Sequence, residues 1–426
     1  MNINEEKKER VLLLGVHTGR ADSLYDTTDE SMHELYELAK TAGAEVVGEA
    51  VQNKPDIESA TYMGEGKLLE VKNAIAELEA DCVIFDDELS PVQLRNISDI
   101  LEVKVLDRSM LILDIFAMRA KSGEGKLQVE LAQLKYQLPR LRGLGTVLSR
   151  TGAGIGTRGP GETKLESDRR HIRRRISALE EELRELEKHR TLLRSRRKKD
   201  GVITVALVGY TNAGKSTLLN TLTDAGVFAE NKLFATLDPT SRGFVLDDMR
   251  KILLIDTVGF IRKLPHHLIE AFKSTLEEAV VADLLVHVID ASSPYRFDQI
   301  RVVNEVLSDI GAVGKPQIAL FNKCDKLESP EFMPKSLDGY EKTVRISAKT
   351  GENTDELIAA LAELAPGKKT KIRVLIPYSD GGLLSELHEK QKIISEDYTG
   401  DGTEVVLLAD EIIFNRLHDY ILKEGE

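Results

Sequence analysis

The apolar run VITVALV passes directly into GYTNAGKS and then into TLLNTL, over residues 202–222. Few sequence features restrict a fold so tightly. A strand that turns through G-x-x-x-x-G-K-S into a helix demands a sheet with that helix packed on its face. Glycines in the turn let backbone N–H groups converge on phosphate oxygens, and the helix N-terminus adds positive potential. Nucleotide contacts are therefore expected at Gly209, Tyr210, Thr211, Asn212, Ala213, Gly214, Lys215, Ser216 and Thr217. Lys215 should reach the β- and γ-phosphates and serve catalysis, and the Ser216 hydroxyl should bind Mg²⁺.

Three further segments follow in the order such a site requires. KILLIDTVGF (Lys251–Phe260) reads as a buried strand ending in Asp256, a carboxylate for Mg²⁺ that stands behind the ion's direct ligands. Thr257 and Val258 continue the turn, and Gly259 can give its N–H to the γ-phosphate. QIALFNKCD (Gln317–Asp325) ends a later strand in N-K-x-D. Asp325 can accept both N1–H and N2–H₂ of guanine, a donor pattern that adenine lacks. Asn322 supports the base edge and the loop, and the stem of Lys323 can lie along the ring. RISAKTG (Arg345–Gly351) supplies Ser347, Ala348 and Lys349, a loop whose backbone can touch guanine O6. Between the first two segments lies LFATLDPTSR (Leu233–Arg242), where Phe234, Ala235, Thr236, Leu237 and Asp238 are the expected switch contacts. The Thr236 hydroxyl can join the Mg²⁺ shell and act in catalysis only while the γ-phosphate is present. Thr240 is its rival.

With 426 residues the chain exceeds the roughly 250–300 at which single cores stop growing. The expected class is α/β and multidomain. A P-loop GTPase domain with a mostly parallel sheet and helices on both faces spans 201–366. A small α/β domain (1–124) and a helical hairpin (125–200) precede it, and a small α+β domain (370–426) follows. In the first domain Val11–Val16, Ala44–Val51, Asp81–Asp86 and Lys104–Leu106 read as strands. Helix signals lie at Ser31–Ala42, around Leu68–Leu78 and after Ser90-Pro91. The hairpin pairs a helix from about Gly125 to Arg142, which Pro139 ends or kinks, with one over Glu166–Lys199. Ile172, Ile176, Leu179, Leu183, Leu186 and Leu193 form a heptad seam in the second helix, with Arg190 at the skipped position. The connecting Gly143–Gly161 holds seven glycines and the cations Arg150 and Arg158, so a mobile basic loop is expected there.

The net charge of −13 argues against a polyanionic partner only on average. Residues 150–200 hold 16 Lys/Arg against 9 Asp/Glu, a local +7, so the rest carries −20. A basic segment on an acidic body points to a localised anionic partner. The bland reading of Arg169, Arg170, Arg173, Arg174 and Arg175 is a solvated coiled-coil face. No apolar run approaches the roughly 18 residues of a membrane span, and the charged MNINEEKKER start carries no signal-peptide core. Two distant cysteines, Cys82 and Cys324, fit a reducing cytosol rather than a zinc site or a disulfide framework.

The spellings GYTNAGKS, FATLDPT, DTVGF and NKCD, with the preceding LQVELAQLKYQLPRL and GPGETKLE, resemble the HflX family of ribosome-associated GTPases. The likeness covers residues 10–365 and is most specific through 126–325, while the tail resembles the family's variable C-terminal domain only loosely. It implies a cytoplasmic GTPase that binds GTP and GDP and associates with the large ribosomal subunit. It also implies a part in splitting or rescuing stalled ribosomes or in their assembly. The hairpin tip would reach rRNA near the peptidyl-transferase region. A monomer is expected. Two alternatives stay open: a nucleotide-gated ribosome-binding factor whose hydrolysis is incidental, and a GTPase associated with RNA modification.

Several features stand apart. Gly154-Ile-Gly156-Thr-Arg-Gly159 spells a dinucleotide fingerprint, but no strand precedes it. Gly64-Glu-Gly66-Lys67 and Gly123-Glu-Gly125-Lys126 lack the phosphate-loop spacing and read as helix starts. His266 and His267 are neighbours that point apart and make a poor metal pair. Phe260 stands where many such enzymes carry a water-orienting Gln. Arg242 and Arg262 are candidate charge stabilisers, and Asn212 occupies the place from which some GTPases hold K⁺ against the phosphates. The other reading of Asn212 is a cap on the turn.

Overall fold

The computed structural model describes residues 8–19, 28–141, 160–223, 233–234, 237–265, 268, 273–327, 333–367, 369–391 and 393–422. The N-terminal unit runs β1 (Arg10–His17), α1 (Thr28–Thr41), β2 (Glu45–Asn53), α2 (Glu65–Glu77), β3 (Cys82–Phe85), α3 (Pro91–Leu101), β4 (Lys104–Asp107) and α4 (Arg108–Arg119). Its sheet is parallel, in the order β2-β1-β3-β4. All four residues of β3 are buried, as expected for a parallel strand covered on both faces. The start of α3 is fixed by a capping box. Ser90 Oγ accepts from the Gln93 N–H at 3.2 Å, and Gln93 Oε1 accepts from the Ser90 N–H at 2.9 Å, with Pro91 at the first helical position.

The hairpin is α5 (Gly123–Arg140) and α6 (Pro160–Lys199). It is antiparallel: Glu124 pairs with Arg190 at 2.8 Å and Lys135 with Glu180 at 2.9 Å. The expected seam is only partly covered. Leu179 is fully buried, but Leu186 and Leu193 are each 37% exposed. The reason is length, since α6 has 40 residues against 18 in α5. At about 1.5 Å per residue much of α6 outruns its partner. The far end of α6 instead docks on the nucleotide domain, where Arg194 pairs with Glu278 at 2.7 Å and Glu277 at 3.3 Å. Meanwhile Val129, Ala132 and Tyr136 of α5 belong to the same core as β1, β3, α1 and α4. The first hairpin helix is thus also a layer of the N-terminal unit.

The nucleotide domain contains β5 (Ile203–Gly209), α7 (Lys215–Thr223), β6 (Thr240–Val245), β7 (Lys251–Asp256), α8 (Lys273–Val281), β8 (Leu284–Asp290), α9 (Arg296–Asp309), β9 (Gln317–Asn322), β10 (Lys342–Arg345) and α10 (Thr354–Leu364). The strand order is β10-β9-β8-β5-β7-β6, with only β6 antiparallel. The carboxyl ends of β5, β7 and β9 therefore emerge along one edge, carrying Gly209, Asp256 and Asn322. The C-terminal unit, β11 (Thr370–Ile376), α11 (Gly381–Lys390), β12 (Ile393–Tyr398), β13 (Thr403–Ala409) and α12 (Glu411–Arg416), is a three-stranded antiparallel sheet ordered β11-β13-β12. Elements that the sequence reading did not single out include α4, β6 and β12. Among the described residues no helix is long and apolar enough to cross a membrane.

Candidate functional site: a phosphate loop clamped between two domains

The loop after β5 is shaped by close approaches. At Gly209 (φ +147°) an added Cβ would lie 2.2 Å from the Val288 carbonyl oxygen, and at Gly214 (φ +99°) one would lie 2.2 Å from Asn322 Nδ2. Asn212 is exposed with φ +60°, a left-handed backbone that Asn tolerates better than most residues. Lys215 is buried, and its Nζ donates to the carbonyls of Gly209 (3.0 Å) and Tyr210 (2.9 Å). Burial pushes the Lys215 ammonium down to about 8. Ser216 Oγ donates to Asp256 Oδ2 at 2.7 Å, so the two expected Mg²⁺ residues are brought together.

Gly259 closes the other side. A Cβ there would stand 2.8 Å from Thr211 Cα and 3.1 Å from Lys215 Nζ. Thr257 is fully buried and donates to the Leu207 carbonyl at 2.7 Å. Phe260 is 1% exposed and sits in the core between β5 and α8. Its backbone exchanges hydrogen bonds with Gly209 and Thr211, at 3.1 and 2.8 Å. Phe260 is a structural staple of the loop, which explains an apolar side chain at this position.

The guanine-reading segment is assembled from three loops. Asn322 Nδ2 donates to the Ala213 carbonyl (2.8 Å), and its Oδ1 accepts from the Ala348 N–H (2.9 Å). Each polar end of Asn322 thus holds a protein group, and the side chain straps the phosphate loop to the Ser347–Lys349 loop. Lys323, at φ +64°, donates to the Asn212 carbonyl and to Asp290 Oδ2, each at 2.7 Å. Ser347 Oγ orients Asp325 Oδ1 at 2.8 Å, leaving Asp325 exposed. Lys349 is exposed beside them. Asp290 is missing from the sequence expectations. Its signal was an acidic residue ending an apolar strand, LLVHVID, between the second and third motifs.

The switch residues divide differently from expectation. Ala235 and Thr236 lie outside the described residues, as do His266, His267, Arg150 and Arg158. The side chains of Phe234 and Leu237 turn into the protein. They are buried in the N-terminal core, where Phe234 meets Phe116 edge-on at 4.7 Å. Val258 is buried in that core too. Asp238 accepts from Lys121 and Ser122 at the base of α5. Tyr210 contributes only backbone, since its hydroxyl donates to Glu34 and accepts from the Arg262 N–H at 2.9 Å. Arg262 is held by Glu30, and Arg242 lies exposed on β6, where its Nη1 donates to the Ser241 carbonyl at 3.0 Å. Thr240 pairs with Asp256 across the β6–β7 ladder, fixed in a strand instead of a switch.

A buried ionic cluster joins the domains beside these residues. Arg108 is 1% exposed and pairs with Glu34 and with Asp86 at 2.8 Å, while Lys263 reaches Asp86 and Asp87. Burial raises Glu34 and takes Glu30 up to about 7. Burial opposes the charges of Arg108 and Asp86 as well. Their mutual attraction, with Glu34 and Lys263, prevails, raising Arg108 and lowering Asp86.

The loop, the clamp and the order of segments agree with what comparison shows. Residues 29–117 match the family described as GTP-binding GTPase N-terminal, 119–197 the GTP-binding GTPase Middle Region, and 204–323 the 50S ribosome-binding GTPase family. A GTPase HflX of Caldanaerobacter subterraneus subsp. tengcongensis is 52% identical over 415 residues, covering 97% of this chain and 94% of that protein. A GTPase HflX of Alkalihalophilus pseudofirmus is 44% identical over 428 residues, covering 100% of both. That of Escherichia coli K12 is 44% identical over 387 residues, covering 89% and 90%. The chain belongs to the HflX family of P-loop GTPases, enzymes that bind GTP and hydrolyse it to GDP and phosphate.

Proposed function

We propose that the chain is a cytoplasmic, monomeric GTPase that works on the large ribosomal subunit in splitting, rescue or assembly, with the hairpin as its RNA-contacting arm. The observation that carries this reading is the hairpin itself. Its second helix outruns its partner and presents Arg170, Arg173 and Arg174 to solvent. Its first helix is packed into the core that also holds the switch side chains. The match of 204–323 to the 50S ribosome-binding GTPase family supports the same partner.

In this reading Lys215 neutralises the β- and γ-phosphates, and Gly259 offers its N–H to the γ-phosphate. Asp325 selects guanine, and Thr236 closes on the site when GTP is bound. Ser216 and Asp256 supply hard oxygen donors of the kind Mg²⁺ takes, and the buried Thr211 Oγ1 has no hydrogen-bond partner among the described residues. The site therefore fits a hydrated cation and a phosphate chain. Mg²⁺ would offset charge on the phosphate oxygens, with Ser216 and Thr236 as its direct ligands.

Replacing Arg150 and Arg158 with Ala, or deleting Gly152–Gly159, should leave GTP affinity unchanged. Co-sedimentation with large subunits should fall at least about tenfold, since each lost phosphate contact removes released counterions. Wild-type co-sedimentation by the deleted variant would end the claim that this loop is the probe. A second test concerns cations. In this reading Asn212, exposed on the phosphate loop, holds K⁺ against the phosphates. Hydrolysis should run faster in KCl than in NaCl at equal ionic strength. Asn212→Gly, which keeps the left-handed backbone, should erase the difference. Equal rates in the two salts would leave Asn212 a turn cap.

A further inference from the structure

The contact made by Asp238 goes beyond nucleotide binding. One carboxylate oxygen, Oδ2, accepts the N–H groups of Lys121 and Ser122, both at 2.9 Å, and Oδ1 accepts the Ser122 hydroxyl. Ser122 is the N-cap of α5, its Oγ also accepting from the Gly125 N–H at 2.8 Å. A carboxylate from the end of the switch segment thus occupies the positive end of the first hairpin helix, where an anion is favoured.

Gly125 makes this contact possible. An added Cβ would stand 2.4 Å from Asp238 Oδ1 and 3.0 Å from Ser122 Oγ. Gly125 lies inside a helix, where glycine is a poor former, and its φ is not positive. Close approach of the Asp238 carboxylate is the reason left for it. This also accounts for the Gly123-Glu-Gly125-Lys126 run, which phosphate binding does not use. Leu237, next in sequence, is buried in the core that contains Val129 and Ala132 of α5. The hairpin therefore stands on two feet. One is the α6 end, bound to α8 through Arg190 and Arg194; the other is the α5 base, bound to the switch segment through Asp238.

We propose that Asp238 is a positioning residue that couples the two ends of this lever. Movement of the switch segment tilts α5 against the fixed foot of α6, and displacement of the hairpin tip repositions the switch. The coupling is reciprocal, as any linkage between two binding events must be. Its mechanical half stands on the contacts above; its use in ribosome-stimulated hydrolysis rests on the function proposed above.

The test needs no ribosome. Native Cys82 and Cys324 are buried, so spin labels can be directed to Ser177→Cys on α6 and Arg301→Cys on α9, both exposed positions. The Ser177–Arg301 distance should differ between the GDP-bound and GTP-analogue-bound protein. Gly125→Ala and Asp238→Ala should each give one distance with both nucleotides, and Gly125→Ala should keep GDP affinity within about twofold. The double variant should be no worse than either single one, because both break the same contact. A nucleotide-dependent distance that survives in either variant, or its absence in the unsubstituted background, would overturn the coupling. A parallel assay of turnover with large subunits separates the two readings. If the unsubstituted protein shows the distance change without stimulation, the ribosome assignment fails and the lever stands. If stimulation persists in Gly125→Ala at the wild-type level, the lever does not carry the signal.

Discussion

Replacing Lys215 with Met should abolish GTP hydrolysis and lower GTP affinity by at least about a hundredfold, while the nucleotide-free protein unfolds no earlier than the wild type. The first half follows from charge. A buried ammonium facing a phosphate chain makes charge-assisted hydrogen bonds worth roughly 1.5–3 kcal/mol each, and Met retains only the apolar stem. The second half follows from burial. Lys215 is pushed down to about 8 in the folded protein against 10.5 in an ordinary lysine. Between these values the unfolded chain binds more protons, so this group makes stability rise with pH across that window. Below pH 8 the full penalty is present, about 3 kcal/mol. Met removes it, at the loss of two hydrogen bonds to the Gly209 and Tyr210 carbonyls. Titration calorimetry with GTP and thermal unfolding from pH 7 to 10 check both halves. GTP affinity within threefold of wild type would show that Lys215 does not face the phosphates. The variant's stability advantage should shrink as the pH passes 8.

Asp325→Asn should transfer base preference from guanine to xanthine. Asp325 carries two acceptor oxygens, one of them oriented by Ser347 at 2.8 Å. Guanine presents two donors to that carboxylate. An amide turns one donor–acceptor pair into two facing donors, which costs about 1.5–3 kcal/mol, or ten- to a hundredfold in GTP affinity. Xanthine has a carbonyl in place of the 2-amino group, so the amide N–H₂ regains a partner. Competition among GTP, ATP and XTP measures the exchange. An unchanged preference for GTP would remove Asp325 from base recognition. Because Asn322 holds both Ala213 and Ala348 through its own side chain, the same experiment on Asn322→Ala should weaken all three nucleotides together.

What the sequence made legible was whatever is contiguous. The turn at Gly209–Ser216, the strand ending at Asp256 and the N-K-x-D loop are each short segments whose backbone geometry is dictated by neighbours in the chain. They could be read without knowing the fold. The helix start at Ser90-Pro91 is of the same kind. The switch side chains were illegible for the opposite reason. Phe234 goes to Phe116, Asp238 to Ser122 and Tyr210 to Glu34, the last two pairs separated by 116 and 176 positions. A motif spelling does not reveal whether a residue offers the ligand its backbone or its side chain. The strand β6 was hidden because its inward partner, β7, holds it by an antiparallel ladder while its own side chains are half-exposed or exposed. The α6 seam over-promised because periodicity reports which side of a helix is apolar, not how much of it a partner covers.

The central claim is that GTP hydrolysis by this chain is tied to the large ribosomal subunit, and turnover measured with purified subunits tests it most directly. The GTP hydrolysis rate should be determined alone, with small subunits and with large subunits, at one salt concentration. Slow turnover is expected alone, with little change on adding small subunits and a rise of at least about tenfold with large subunits, equivalent to roughly 1.4 kcal/mol of barrier. Equal turnover in all three conditions would contradict it.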